Sequence, residues 1–480
     1  IDSAVPKNKN YVRHFHVGSI IPLEELDREF ATSWKRENKG KRTLVDGTPV
    51  YGSGKDALEP LSVRPDLVEW RRECVKLLLE RAKIDKDLGT YYLREVLDDA
   101  GNVVKTSGML QYVDDRNIIN HTLNNTATVT TRLSSKDPNL QNVSRGGTSR
   151  VKEVFTSRYD NAGWLDWAVL VGEITPELYQ SCVTNIALGI PNGAVVEADY
   201  SALEVVTLAA LSRDKALMQA LLNGTDMHCM RLSGKLGEPY ESVWEKCHTE
   251  DHPEHEAYDL MRTLIKPKAF AYQYGATAQG IAFNTGCSLE EAQHFIDTER
   301  ALFPDVEIWY DDVITPAVRR SAQAHNEIGE DGHWRQYCTG TYVANSGTTY
   351  EFREWPKTVW AEGRPITSME FKPTQIRNYP IQGESAFFVQ VTSGMFMRWM
   401  VSKNFFEHRA YIINTVHDAN YLDVHLSVLD EVCGSLKATM ESLPEVMKNY
   451  GYDLGLPFPV EVKYGPNMVK KQKWTKEKHQ

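Results

Sequence analysis

Two apolar segments that each run into an aspartate constrain the fold of this chain most strongly. The run AVVEA at residues 194–198 ends in Asp199 and leads into the helical pattern LEVVTLAALS. The segment YIINTVHDANYLDV at 411–424 is apolar on both sides of its HDA. It predicts two strands joined by a tight turn, with Asp418 at the tip.

Helical and strand patterns interleave irregularly along the rest of the chain. Apolar residues recur at three- and four-residue steps in several segments, which predicts helices at 64–97, 261–275, 289–322 and 385–401. The segment TGTYVANSGTTYEF at 339–352 predicts a β-hairpin. Because strands and helices alternate without a repeating unit, the predicted class is α+β.

Composition indicates a globular protein and excludes several other classes. Hydrophobic residues make up 41% and charged residues 25%, and no segment approaches the ~18 apolar residues of a membrane span. The seven cysteines form no CxxC pair, so a reducing compartment is expected. The net charge is −11, yet residues 461–480 hold six lysines against two glutamates. The basic tail is either a contact for a DNA backbone or only a solubilising end of the chain.

Asp199 and Asp418 suggest chemistry at the ends of two neighbouring strands. Two carboxylates in such a position can hold a pair of divalent cations ~3.5–4 Å apart, the arrangement used for phosphoryl transfer. On its own the pair identifies nothing, because aspartate is common at strand ends.

A second candidate site follows one face of the helix predicted at 261–275. Arg262, Lys266, Phe270 and Tyr274 are spaced four residues apart and so share that face. The two cations suit a triphosphate, and the two rings suit a base and a sugar. The alternative is a solvated Arg/Lys pair beside two core aromatic side chains.

Together these segments resemble the family A DNA polymerases, and the resemblance extends from about Leu77 to Met468. TTRLSSKDPNLQNV is similar to the family's TGRLSS-x-PNLQNI, with Thr131 in place of glycine. EADYSALEVVTLA, the helix from Arg262 to Gly275 and VHDA resemble motifs A, B and C. NYPIQGESA and VKYGPNM resemble two further blocks, and all of them occur in the family's order.

The resemblance implies two bound metal ions and a nucleotide site. Asp199, Asp418 and the backbone carbonyl of Tyr200 would hold two Mg²⁺, with Mn²⁺ as an alternative. Arg262 and Lys266 would grip the triphosphate, and Lys266 is also a candidate catalytic residue. Further nucleotide contacts are implied for His228, Glu204, Phe270 and Tyr274. Glu204 would exclude a 2′-hydroxyl, and Tyr274 would stack near the templating position.

The resemblance also implies contacts to the primer–template. The residues at the matching positions are Arg132, Asn139, Gln141, Asn378, Gln382 and His417. Arg132 and Gln382 would check the minor groove, where every correct pair offers an acceptor.

The implied fold is a right hand with an antiparallel palm, helical fingers and a short helical thumb. The predicted ranges are 1–110 for an N-terminal segment and the thumb, 111–215 for the first part of the palm, 216–373 for the fingers, and 374–480 for the rest of the palm and a basic tail. The implied activity is extension of a primer by dNTPs, with pyrophosphate released. The expected partners are primer–template DNA, dNTPs and a separate exonuclease or replisome protein, with no membrane involved. The implied location is the cytoplasm of a bacterium or an infected host cell, with an organelle as the alternative. An exonuclease domain is not expected, since about sixty residues precede the first thumb helix.

Four positions depart from the family pattern. Ala419 stands where motif C has glutamate, and Ala202 stands where motif A has glutamine. Pro267 lies inside the motif B helix and is expected to kink it. About thirty extra residues, 159–192, predict a helical insertion packed on the fingers or palm, with a partner site as the alternative.

Two other functions remain open at this point. A single-subunit RNA polymerase shares the two aspartates, although Glu204 and Phe270 argue against it. A polymerase fold used only as a DNA-binding scaffold would fit Ala419, although both aspartates and both triphosphate-binding cations are retained.

Overall fold

A computed structural model describes residues 55–63, 67–144, 149–328, 334–361 and 364–476. The chain divides into two compact units, residues 1–111 and 112–480. The division lies one residue beyond the predicted end of the N-terminal range. The assignment of ranges to thumb, palm and fingers stays a prediction.

In the described part of the first unit, residues 55–63 and 67–111, the main elements are two α-helices and a hairpin. Its elements are α1 (Lys55–Ser62), α2 (Glu69–Thr90), β1 (Arg94–Leu97) and β2 (Val103–Ser107). The helix predicted at 64–97 ends at Thr90, and its last residues form β1 instead. Gly89 and Thr90 are poor helix formers, and β1 pairs antiparallel with β2, which satisfies its backbone groups. The prediction for residues 91–97 was therefore wrong.

A five-stranded antiparallel sheet lies at the centre of the second unit. Its strands, in the spatial order 10-11-5-12-13, are β5 (Gly193–Tyr200), β10 (Ala410–Val416), β11 (Ala419–His425), β12 (Val460–Gly465) and β13 (Gln472–Lys473). This confirms the strand predicted before Asp199 and the two strands predicted on either side of Asp418. Val196 and Ala198 face the main hydrophobic core, whereas Val195 lies in a separate cluster with Ala419. Because side chains alternate along a strand, Asp199 lies on the face opposite the main core.

Four helices cover the core face of this sheet. They are α5 (Leu203–Ser212), α14 (Pro373–Ser402), α15 (Leu429–Glu441) and α16 (Leu443–Asn449). The buried helix predicted at 385–401 is confirmed, and it begins at Pro373. Phe388, Phe396 and Met400 on α14 are each at most 1% exposed. Burial of such side chains contributes ~1.5–3 kcal/mol each, so α14 is a rigid support for the sheet.

A helical region connects α5 to a second sheet. Its helices are α6 (Lys215–Leu222), α7 (Met227–Leu236), α8 (Tyr240–His248), α9 (His255–Gln273), α10 (Ala278–Thr285), α11 (Leu289–Leu302), α12 (Pro304–Ile308) and α13 (Thr315–Arg320), with a π-helical turn at Trp309–Ile314. The single helix predicted at 289–322 was wrong. Phe303 leaves the helical conformation, and Pro304 begins the next helix because it has no N–H to donate to the preceding turn.

The second sheet has four antiparallel strands. They are β6 (Gln323–Ile328), β7 (Trp334–Val343), β8 (Thr349–Ala361) and β9 (Arg364–Phe371), paired in chain order. The hairpin predicted at 339–352 is confirmed as part of β7 and β8. Tyr350 and Phe352 point from β8 into the main core. This face of the sheet therefore packs against the rest of the unit.

The predicted helical insertion forms an antiparallel helix pair, α3 (Ala162–Leu170) and α4 (Pro176–Leu188). A buried ion pair joins its entry to the central sheet, since Arg158 Nε lies 2.8 Å from an Asp423 oxygen. Asp423 also accepts a hydrogen bond from Ser157 Oγ at 2.6 Å. On the outer strand, Tyr411 Oη donates to Glu173 at 2.6 Å. The helix pair thus packs on β10 and β11, which lie within the range predicted for the second part of the palm.

Shorter elements complete the second unit. They are β3 (Thr122–Asn124) and β4 (Ser134–Lys136), three single 3-10 turns at Val151–Val154, Arg158–Asp160 and Leu426–Val428, and a short turn at Asn404–His408 that connects α14 to β10. Across the described ranges, no helix combines the length and apolarity that a membrane crossing requires.

Candidate active site

The register of the central sheet places the two predicted aspartates side by side. Asp199 is the penultimate residue of β5, and it pairs with Ala419, the first residue of β11. Asp418 lies immediately before Ala419, in the turn that follows β10. The backbone N–H of Tyr200 donates to the Asp418 carbonyl at 3.4 Å. Backbone pairing alone therefore holds both aspartates where the end of β5 meets the start of β11. This position, with Asp199 and Asp418, is called the carboxylate edge below.

Burial and mutual repulsion make this edge unfavourable for two negative charges. Burial, followed by the charge of the neighbouring Asp418, raises the pKa of Asp199 to about 6. Burial likewise raises the pKa of Asp418 to about 6, with Glu204 adding to the effect and Arg132 opposing it. Such a pair titrates as a unit, and bound cations would relieve its repulsion.

The donor set at this edge suits a hard divalent cation. Carboxylate and carbonyl oxygens are the ligands that Mg²⁺ prefers. The Tyr200 side chain is buried on the other side of the sheet, where its hydroxyl donates to the Met440 carbonyl at 2.8 Å. Only the backbone of Tyr200 is therefore available to the carboxylate edge, as the resemblance implied.

A third carboxylate stands next to Asp199, and the sequence reasoning missed it. Glu461 on β12 pairs directly with Asp199, on the side opposite Ala419. Lys463 donates to Glu461 and lowers its pKa, and Lys473 lies 3.2 Å from the same carboxylate. The alternation of VEVKYG could have indicated that Glu461 and Lys463 share a face. Only the strand order shows that this face meets Asp199.

Glu204 connects the carboxylate edge to the end of α9. Arg132 Nη2 lies 2.5 Å from one Glu204 oxygen and 3.9 Å from Asp418. Tyr274 Oη donates to the other Glu204 oxygen at 2.5 Å. Burial, followed by this contact with Glu204, raises the pKa of Tyr274 above its ordinary value. Three predicted site residues from distant parts of the sequence thus meet at one carboxylate.

The predicted triphosphate-binding arginine is held by an aspartate that the sequence reasoning did not single out. Arg262 donates to one oxygen of Asp226 from Nε at 2.9 Å and from Nη2 at 2.6 Å. The other oxygen of Asp226 caps α7, where it accepts from the N–H groups of His228 and Cys229. The ion pair therefore fixes the guanidinium of Arg262 against the start of α7.

His228 lies among several cations and is neutral at ordinary pH. Burial, followed by the charge of Arg231, lowers its pKa to about 4, and Arg262 and Lys266 act in the same direction. Its Nδ1 is buried without a hydrogen-bond partner. A phosphate oxygen would satisfy this nitrogen, which agrees with the implied role of His228.

The predicted stripe on α9 is present as a single structural feature. Arg262, Lys266 and Phe270 lie on successive turns, and Tyr274 caps the helix end. From Arg262 to Tyr274 the helix extends ~18 Å. Phe270 is 55% exposed, so its ring is not part of the core. The stripe thus spans the distance from the Asp226 ion pair to Glu204.

Pro267 does not interrupt this helix. The helix is continuous across Pro267, from His255 to Gln273. Both Pro267 and Thr263, whose carbonyl loses its helical partner, are exposed. Water can hydrate that carbonyl, so the helix continues past Pro267, and the expected kink stays a prediction.

Three predicted DNA contacts line one cavity of about 180 Å³. Arg132, Gln141 and His417 share it with Gln390 and Thr415. Gln141 donates to the Thr415 carbonyl at 2.8 Å and accepts from the N–H of Ser135 at 3.1 Å. Both ends of its amide are engaged, so Gln141 supports the loop.

The remaining predicted DNA contacts lie nearby on two elements. Asn378 and Gln382 are one turn apart on α14, and the Gln382 oxygen accepts from Thr130 Oγ1 at 2.8 Å. Asn139 is exposed, and its oxygen accepts from the N–H of Gln141 at 3.1 Å. The structure thus brings Gln382 to the loop that holds Arg132.

Thr131 occupies a backbone conformation that favours glycine. Its φ is +56°, and its hydroxyl is buried without a partner. Gln390 Nε2 donates to its carbonyl at 2.7 Å, which fixes the peptide. This explains physically why the resembling motif has glycine at this position.

Another group of side chains has the residue types and the spacing of a metal site, but one of its members is already engaged in other contacts. Asp226, Cys229 and His248 have ligand atoms within 4.8 Å of one another. Asp226 already binds Arg262 and caps α7, so it has no oxygen to offer. This group therefore supports the ion pair and is not assigned a metal.

Comparisons with known proteins agree with this arrangement. The sequence model of DNA polymerase family A matches residues 102–470. The thermostable DNA polymerase I of Thermus thermophilus is 26% identical over 357 residues, which are 72% of this chain and 32% of that protein. DNA polymerase I of Mycobacterium leprae is 25% identical over 364 residues, which are 75% of this chain and 31% of that protein. The chain thus spans about a third of the length of these relatives.

A solved structure shows the same fold. The POL domain of Pol1 from M. smegmatis, in complex with DNA primer-template and dNTP, aligns with a TM-score of 0.55 at 20% identity, covering 94% of this chain and 63% of that one. The chain therefore has the right-hand polymerase fold. Since the family model also spans both aspartates and the whole of α9, this chain belongs to DNA polymerase family A.

Proposed function

We propose that this chain is a template-directed DNA polymerase that extends a primer 3′-hydroxyl with dNTPs and releases pyrophosphate. The observation that supports this best is the pairing of Asp199 beside Asp418, with Glu204 and Tyr274 joining that edge to the cationic stripe of α9. The reacting phosphate of a nucleotide can then contact the carboxylate edge while the rest of its triphosphate lies along the stripe.

Asp199, Asp418 and the Tyr200 carbonyl would hold two divalent cations, Mg²⁺ or alternatively Mn²⁺. When bound, these ions lower the pKa of the primer hydroxyl and stabilise charge on the leaving pyrophosphate. The sheet keeps both carboxylates in place, so little reorganisation is needed as charge develops. Lys266 stabilises charge on the triphosphate in the same step.

The stripe on α9 positions the incoming nucleotide. Arg262 leaves its pair with Asp226 or shares it, and it binds the triphosphate together with Lys266 and His228. Glu204 closes the space beneath the sugar, while Phe270 offers no hydroxyl at the 3′ position. Tyr274 stacks near the templating base. Its hydrogen bond to Glu204 links the position of α9 to the carboxylate edge when the fingers close.

The residues around Arg132 would contact the primer–template. Arg132 and Gln382 check the minor groove, His417 touches the primer end, and Asn378 and Asn139 add polar contacts. Gln141 acts indirectly by holding the loop that carries Arg132. The partners are therefore DNA and dNTPs, with a separate exonuclease or replisome protein as a further proposed partner.

The proposed domain assignment follows the same roles. The thumb lies within residues 1–110, the fingers within 216–373, and the palm within 111–215 and 374–480. The bacterial relatives support action in the cytoplasm of a bacterium or an infected cell.

A primer-extension assay with Mg²⁺ tests the proposal. The chain should extend with dNTPs and poorly with rNTPs, and Asp418→Asn should reduce turnover at least ~100-fold with DNA affinity unchanged. Asp251→Asn, at an exposed turn, is the matched control. Extension that survives Asp418→Asn would refute the assignment. Efficient rNTP use would favour the RNA polymerase alternative, and DNA binding without extension would favour the scaffold alternative.

A further inference from the structure

The outward face of the four-stranded sheet differs from its buried face. Tyr350 and Phe352 on β8 point into the core, so Arg353 and Trp355 alternate toward the opposite side. The pairings of β6 with β7 bring His325 opposite Tyr337 on that side. This outward face is called the β6–β9 face below.

Aromatic rings and cations alternate across the β6–β9 face. The His325 and Tyr337 rings stack with centroids 5.3 Å apart and an interplanar angle of 26°. The Arg353 guanidinium lies 3.9 Å from the Tyr337 centroid and 5.1 Å from that of Trp355. Lys372 Nζ lies 4.1 Å from the Trp355 centroid. The result is a continuous row of five side chains in contact. Four of them lie on β6, β7 and β8, and the fifth, Lys372, follows β9.

The ion pairs on this face can exchange for phosphates. Arg353 pairs with Glu327, and Lys357 pairs with Glu370 at 2.8 Å. These four side chains are 34–58% exposed. Exposed pairs contribute ~0–1 kcal/mol, so a phosphate oxygen can replace either carboxylate at little cost.

The row begins beside the proposed templating position. Lys372 immediately precedes α14, the helix of Asn378 and Gln382. Gly275, next to Tyr274, lies so close to this helix start that an added Cβ would come 2.9 Å from the Thr374 Cα. Six residues of helix span ~9 Å, which is a distance of one to two nucleotides.

We propose that the β6–β9 face binds the single-stranded template before it reaches the templating position. This inference rests on the proposed polymerase function. On binding, Arg353 and Lys372 exchange their ring contacts for phosphates, and bases stack on the faces of Tyr337 and Trp355 that the cations leave. Lys357 contacts a further phosphate. A protein partner fits less well, because cations cover the rings and no continuous apolar patch is formed by these residues.

Fluorescence anisotropy on primer–templates with different 5′ overhangs tests the inference. The full chain should bind a template overhang of about twelve nucleotides more tightly than an overhang of one. Trp355→Ala should weaken binding of the long overhang about tenfold and leave the short overhang unchanged, because one stacked base contributes ~1–3 kcal/mol. Trp355→Phe should retain most of the preference.

Trp334→Ala is the matched control, since Trp334 is 73% exposed on the same sheet but alternates to the other face. It should change neither affinity, and melting curves should show that all variants fold. Equal affinity of the wild type for both overhangs would overturn the inference, as would an equal loss for both in Trp355→Ala. A surface that serves a protein partner would give the same negative result.

Single-nucleotide extension on the short-overhang substrate separates this inference from the proposed function. Trp355→Ala should retain this extension. If the wild type fails to extend but still prefers the long overhang, the polymerase proposal fails while the template-binding face stands.

Discussion

The carboxylate edge and the triphosphate-binding region are held in place by different forces. Asp199 and Asp418 are fixed by backbone pairing between β5 and β11, which no side chain can alter. Arg262 is fixed by a side-chain ion pair to Asp226 on another helix. The first arrangement is rigid, whereas the second can open when a stronger anion arrives.

This difference suggests that the two regions have different roles, one in the reaction itself and the other in nucleotide binding. Groups that stabilise charge during the reaction gain from rigidity, because they need not reorganise. In the proposed function, Arg262 must leave or share its resting pair with Asp226 to bind the nucleotide, so part of the binding energy is spent on that ion pair. Substitutions in the two regions should therefore change different kinetic constants.

The largest effect among the predictions that compare the two regions is expected on nucleotide kinetics, when either member of the Arg262–Asp226 ion pair is replaced. Arg262→Ala should lower kcat/KM for dNTPs about 10- to 100-fold, mainly through KM, because a hydrogen-bonded charge is lost. Asp226→Asn should change KM without unfolding α7, since asparagine also caps helices well. Steady-state kinetics with melting curves measure both effects.

Asp214→Asn is the control for this pair, because Asp214 caps α6 without binding an arginine. It should leave the nucleotide KM unchanged. If Arg262→Ala also leaves KM unchanged, Arg262 has only the structural role seen in its pair with Asp226.

The second prediction concerns the carboxylate that joins the two regions. Glu204→Ala should reduce discrimination of dNTPs against rNTPs about tenfold, since it opens space beneath the sugar. Glu204→Gln keeps the volume and should retain most of the selectivity. Competition between the two nucleotides in single-turnover extension measures this ratio. An unchanged ratio in the alanine variant would place Glu204 outside the sugar pocket.

The third prediction uses the pH dependence of the carboxylate edge. Both carboxyl pKa values are raised from 3.8 to about 6, so the folded chain binds protons more tightly than the unfolded chain between these values. The free energy of unfolding contributed by this pair therefore rises as pH falls from 7 to 5. Without metal, Tm should gain a few degrees from the pair over this range.

The double variant Asp199→Asn/Asp418→Asn should lack this component of the pH dependence. Excess Mg²⁺ should diminish it in the wild type, because bound cations replace protons. Identical pH profiles for the wild type and the double variant would show that the pair is not strained.

The smallest effect is expected beside the carboxylate edge, at Thr131. Thr131→Gly should raise the free energy of unfolding by ~1 kcal/mol, because a side chain at φ +56° is strained. Thr131→Ala keeps the strained Cβ but removes the unpartnered hydroxyl, so it should stabilise less. Denaturant unfolding of both variants measures the difference. A loss of stability in the glycine variant would mean that packing outweighs strain.

The sequence predicted the rigid region better than the adjustable one. Strand patterns around Asp199 and Asp418 are local, so both aspartates could be placed at strand ends before the structure was known. The pairing of Arg262 with Asp226 depends on how α7 and α9 pack, which no local pattern reveals. Glu461 was missed for the same reason, since only strand order places β12 beside β5.

Errors in the predicted elements also have local physical causes. The helix expected across residues 289–322 breaks at Phe303, where proline follows and the chain turns. The helix expected to reach Leu97 ends earlier because a hairpin offers its backbone better partners.

The buried aspartate beneath the helix pair α3–α4 limits how this insertion can be gained or lost. Asp423 is 3% exposed, and its partners Ser157 and Arg158 belong to the segment that leads into the insertion. A shorter chain that ran directly from Phe155 to β5 would leave a buried charge unpaired, at a cost of ~3–5 kcal/mol. A truncation that removes Ser157 and Arg158 together with the insertion must therefore also change the residue at position 423.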